Sequence, residues 1–133
     1  MIGDRMSALS DSTTMTKSQG IKAGDIILIN FDPTLGSEQS GVRPAVVVSS
    51  DLMHLKSKRI IVCPITSNLE PWPTKLALPD VIKTRGMVLT DQMRSIDIQS
   101  RFVRHLETVS FDFVTLVRSY VGRLLELEVL PPK

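Results

Sequence analysis

The segment with most to offer chemically is Gly36-Ser37-Glu38-Gln39-Ser40-Gly41-Val42-Arg43-Pro44, in which Glu38 and Arg43 stand five residues apart. Its two glycines let the backbone turn freely. Glu38 brings a carboxylate, and Arg43 a planar, permanently charged fork that suits a phosphate oxygen better than a wandering lysine would. The same pair reads equally as a surface salt bridge that pins a loop. A second cluster, Pro64-Ile65-Thr66-Ser67-Asn68, offers hydroxyls that can donate to a phosphate or a leaving oxygen, or a Ser/Thr turn that merely closes a strand. If the strands carrying Arg43 and Thr66 pair, the two residues can share one mouth of the fold. Gln92 and Arg94 alternate along what reads as extended chain, so they face one side and suit bases, phosphates or a subunit contact. Trp72, the single tryptophan, sits between Pro71 and Pro73, either as a stacking platform for an unpaired base or as a cover over the core rim.

Other chemistries find little support. His54 and His105 fall in different expected elements, so a two-histidine acid–base mechanism requires the fold to unite them; otherwise they are solvated surface groups. No Walker loop, Rossmann glycine pattern or zinc-ligand cluster occurs, and neither a metal nor another cofactor is expected.

The elements that must hold these residues are short and mostly extended. Ile26–Phe31, Ala45–Val48 and Arg59–Val62 are β-branched runs that end at turn signals, the third at Pro64. Lys75–Leu78, Met87–Leu89, Met93–Ile98 and Phe102–Val109 read as further strands. Ser50 can cap a short helical turn over Leu52–Ser57. Phe113, Val114, Val117, Tyr120, Val121, Leu124 and Leu125 recur at steps of three and four, the apolar face of one C-terminal helix capped by Ser110. Many short strands followed by one amphipathic helix predict a mainly β (α+β) fold, a small barrel or sandwich with a helix packed on it.

The chain has 133 residues, with 42% hydrophobic and 23% charged content, the profile of one soluble globular domain. Residues 1–20 are rich in Ser, Thr, Asp and Gly and are expected to be a flexible lead-in to a domain spanning 21–133. They lack a signal-type apolar core, and no run of about 20 apolar residues exists to span a bilayer. One cysteine, Cys63, cannot form an internal disulfide, which points to the reducing cytoplasm. The net charge is only +2, but residues 41–110 hold ten Lys/Arg against six Asp/Glu. That positive middle suits a polyanionic partner.

Taken in order, Gly24-Asp25-Ile26-Ile27-Leu28-Ile29-Asn30-Phe31-Asp32-Pro33, then Gly36-Ser37-Glu38-Gln39, Arg43-Pro44-Ala45-Val46-Val47-Val48, Cys63-Pro64-Ile65-Thr66-Ser67 and Asp91-Gln92-Met93-Arg94-Ser95-Ile96-Asp97 resemble the MazF/PemK family of toxin endoribonucleases. The likeness runs from Ile21 to the end of the chain. It implies an SH3-like barrel of the CcdB/PemK toxin type, a homodimer, and an antitoxin whose acidic, disordered segment binds the toxin. It also implies metal-independent cleavage of single-stranded RNA, leaving 2′,3′-cyclic phosphate and 5′-hydroxyl ends. Arg43 and Thr66 match the family's catalytic pair; Glu38 matches an acidic residue implicated in some members. Gln39, Ser67, Trp72, Gln92 and Arg94 are the expected RNA contacts. Two other readings stay open at this stage: a barrel of the same fold that binds RNA without cutting it, and one that poisons a protein target such as gyrase.

Overall fold

The computed structural model describes residues 20–33, 36, 38 and 41–127. The lead-in expected over 1–20 therefore lies outside the described residues except for Gly20. In chain order the elements are β1 (Asp25–Asn30), β2 (Val42–Val47), α1 (Asp51–Lys56), β3 (Arg59–Thr66), β4 (Lys75–Ala77), β5 (Met87–Leu89), a 3-10 turn (Thr90–Gln92), β6 (Arg94–Asp97), α2 (Ile98–Arg101), β7 (Phe102–Thr108) and α3 (Phe111–Leu124). The caps explain the helix starts: Ser50 Oγ accepts from Met53 N and Ser110 Oγ from Phe113 N, satisfying amides that a helix leaves without partners.

The seven strands form an antiparallel sheet in the order β4-β5-β3-β2-β1-β7, with β6 also pairing to β3. Several of the expected strand limits shift by one residue, and two shift further. The second strand begins at Val42, not Ala45, which brings Arg43 and Pro44 into the ladder opposite Ile29 and Leu28. The third runs through Pro64 to Thr66 instead of stopping before the proline. On its outer edge β3 is shared: Val62 is the last residue paired with β6 and Ile65 the first paired with β5. Pro64 falls in that gap, where a missing N–H forfeits no bond on that edge.

Both faces of the central strands are covered, which is why their sequences read as unbroken apolar runs. On one face Ile26, Val46, Cys63, Ile65 and Val88 meet Phe113, Val114, Val117 and Val121 of α3. Burying such a side chain fully contributes about 1.5–3 kcal/mol, so those four residues hold the helix down. On the other face Ile27, Ile29, Phe31, Ala45, Val47, Ile60, Val62, Ile96 and Ile98 form a second core. Side chains from β1, β2, β3, β6 and α2 meet there, so the sheet wraps round them in barrel fashion. The strand path nevertheless ends at β4 and β7. The expected mainly β fold with a C-terminal helix is present, with its barrel left open.

Candidate active site

The register of β2 and β3 decides where the chemistry can lie. Ala45 stands opposite Pro64, Val46 opposite Cys63 and Val47 opposite Val62. Carried two residues further, that register sets Arg43 across from Thr66. Arg43 is also the partner of Ile29 on β1, and opposed residues share a face of a sheet. Ile29, Ala45, Val47 and Val62 all belong to the second core. The alternation that buries them therefore delivers Arg43 and Thr66 to the same face, at its open end. Arg43 is exposed there, whereas Thr66 is only 9% exposed. Thr66 Oγ1 accepts from Asn68 N at 3.1 Å.

Two residues along β3 from Thr66, Pro64 enters the wall of a cleft of about 310 Å³ that Phe31, Glu38, Asp91, Gln92, Met93 and Arg94 also line; neither Arg43 nor Thr66 is among its lining residues. It brings together Glu38, Gln92 and Arg94. Gln92 closes the 3-10 turn rather than lying in extended chain, and Arg94 opens β6, so the two reach one cleft across a bend. The Arg94 guanidinium carbon sits 5.4 Å from the centre of the Phe31 ring, a cation–π contact that holds the fork in place. Phe31, Pro64, Asp91 and Met93 complete the wall, and none of the four was singled out for its own chemistry. Phe31 and Pro64 are marked in sequence only as the ends of apolar runs.

Ser67 follows Thr66 and is exposed. Gln39 lies outside the described residues. Trp72, 65% exposed, is not among the cleft's lining residues and stands over its own depression of about 400 Å³ with Glu70, Pro71 and Lys75.

Rival groups are engaged elsewhere. The buried His54 ring is held through Nε2 by Ser49 Oγ at 2.6 Å and through Nδ1 by Ile21 O at 2.7 Å. His105 sits on β7 beside Asp25, 3.3 Å away. The Cys63 thiol is pushed up to about 12 by burial and then by the Asp91 charge, so at neutral pH it is protonated and a poor nucleophile. Among the described residues, no three His, Cys, Asp or Glu side chains gather as a metal site.

The comparisons with known proteins agree on one family. Residues 22–125 match the one described as "PemK-like, MazF-like toxin of type II toxin-antitoxin system". The Escherichia coli endoribonuclease toxin MazF is 33% identical over 102 residues, 77% of this chain and 91% of that protein. Escherichia coli endoribonuclease PemK is 33% identical over 112 residues, covering 81% of this chain and 82% of its own. The crystal structure of MazF from Deinococcus radiodurans superposes with a TM-score of 0.75 at 34% identity, over 80% of this chain and 97% of that one. A MazE-MazF structure from the same organism gives 0.69 at 33%, over 81% and 97%.

Proposed function

The chain belongs to the PemK-like, MazF-like toxins of type II toxin-antitoxin systems and is an endoribonuclease of that family, and we propose that it cuts single-stranded RNA at a short specific sequence without a metal ion. The observation that supports this reading is the β2–β3 register, which, extended by two residues, puts Arg43 across from Thr66, two residues along β3 from the Pro64 that lines a cleft with Glu38, Gln92 and Arg94. RNA brings its own nucleophile. The 2′-oxygen loses its proton and bonds to phosphorus, the bond to the 5′-oxygen breaks, and that oxygen takes up a proton. Arg43 stabilises the charge that builds on the phosphoryl oxygens. Thr66 orients the phosphate through its hydroxyl, which is too weak an acid to protonate a leaving group itself. Glu38 is the carboxylate assigned to accept the 2′-proton.

Long RNA incubated with the protein in EDTA should still be cut. The new fragments should begin with 5′-hydroxyl groups that a polynucleotide kinase labels without prior phosphatase treatment. Strict magnesium dependence with 5′-phosphate ends would overturn the mechanism.

Two contacts, the exposed Trp72 and the half-buried Gln92, set affinity and sequence in this reading. Trp72→Ala should weaken RNA binding by about 1–3 kcal/mol, the worth of stacking one base on an aromatic ring. Gln92→Ala should relax the sequence that is cut. Unchanged affinity together with an unchanged cleavage motif would return both residues to structural roles. The protein acts in the cytoplasm as a homodimer, and a carboxylate-rich, disordered antitoxin segment occupies the same positive surface that holds RNA.

A further inference from the structure

A side chain of β4 ties the near part of the loop beyond β3 to the sheet. Lys75 Nζ donates to Asn68 O at 3.3 Å and to Glu70 O at 2.9 Å. The backbone N of the same residue donates to Trp72 O at 2.9 Å. Inside the loop, Asn68 Oδ1 accepts from Glu70 N at 2.9 Å. Three carbonyls between 68 and 72 are thus held by a single residue, itself paired with Leu89 of β5. The first amide of this held segment, Asn68 N, is the one that donates to Thr66 Oγ1.

We propose that Lys75 is a positioning residue for the cleavage reaction: by clamping the Asn68 and Glu70 carbonyls it aims the Asn68 N–H at Thr66 Oγ1, and so directs the Thr66 hydroxyl proton into the site. This rests on the reading of Thr66 as a residue that touches the RNA. A hydroxyl has one proton and two lone pairs. Once Asn68 N–H occupies a lone pair, the proton must turn away from it, and it is ready to donate to a phosphate without a search among rotamers. Preorganised donors of this kind need no reorganisation as the reaction proceeds. Without the ammonium the loop is free to shift, the Asn68 amide leaves Oγ1 for part of the time, and the hydroxyl loses its direction. The same lysine lines the Trp72 depression, so one residue fixes both the stacking surface and the hydroxyl.

The test compares Lys75→Met, which keeps the stem and removes the charge, with Lys75→Arg, which can still donate to two carbonyls. Lys75→Met should lower kcat roughly tenfold, the scale of one charge-assisted hydrogen bond, with KM moving much less. Lys75→Arg should recover most of that loss, and amide exchange at Asn68 should be faster in the Met protein alone. Asn68→Ala, which removes the bond to Glu70 N and leaves Lys75 untouched, should move kcat the same way. Added to Thr66→Val, Lys75→Met should change the residual rate less than about twofold, because its route to the chemistry is already gone. An equal loss in both backgrounds overturns the proposal. So does a rise in KM at unaltered kcat that disappears in high salt, the mark of a lysine that merely holds phosphates. A Thr66→Val protein with full activity refutes the underlying assignment of Thr66 instead, whatever Lys75→Met does.

Discussion

Arg43→Ala should cut the rate of RNA cleavage at least about a hundredfold, the usual scale for losing a donor that stabilises transition-state charge. The fold should survive. The Arg43 side chain is exposed, and the backbone pairing of Arg43 with Ile29 is available to any residue except proline. Arg43→Lys keeps the charge and loses the planar fork, so it should stay well below wild type. Thr66→Val preserves shape in a nearly buried position and should also be strongly impaired while melting normally. Single-turnover cleavage of a short RNA, set beside thermal melts of each variant, separates lost chemistry from lost folding. Near-normal cleavage by the Arg43→Ala or the Thr66→Val protein removes that residue from the catalytic pair.

Gly86→Ala should be a highly damaging small change outside the proposed catalytic residues. Gly86 has φ +135°, and a Cβ there would overlap the Thr66 carbonyl oxygen and come within 2.8 Å of Ile65 Cγ2. Backbone is what it strikes, so relief requires β3 and β5 to separate next to Met87, the residue paired with Thr66. Strain at such a φ costs about 1–3 kcal/mol, and overpacking a similar amount. The variant should therefore lose at least about 2 kcal/mol of stability, seen as a lower urea midpoint. Whatever folds should cut RNA more slowly than wild type, because Thr66 has moved. A Gly86→Ala protein with unchanged midpoint and rate would show that this approach is looser than the geometry implies.

Glycine at 86 illustrates what sequence can and cannot reveal. A lone Gly before a short apolar run marks a turn, yet nothing local says that the turn will rest on the backbone twenty residues earlier. The helix was legible because its apolar period and Ser110 are both local signals, and the structure places Phe113, Val114, Val117 and Val121 where that period requires. Pro64 taken alone ends the third strand early, whereas its acceptability comes from a neighbour changing on the far edge. Arg43 and Thr66 could be named from residue type and family likeness, but their juxtaposition depends on register. The roles of Phe31, Asn68 and Lys75 depend on contacts that no spacing encodes. Phe31 and Arg94 are separated by most of the domain and meet only through the fold.

The double coverage of the central sheet has a consequence for how the strands find their alignment. In a sheet wet on one side, a slip by one residue throws apolar side chains into water, and that penalty fixes the pairing. Here a slipped β2 would only exchange Val46 for Ala45 or Val47 between two dry interiors, a modest change of volume. What the shift would cost is the pairing at the open end, since a slip by one residue turns Arg43 to the face opposite Thr66. A misaligned β2 would thus keep most of its core and lose the proposed Arg43–Thr66 juxtaposition.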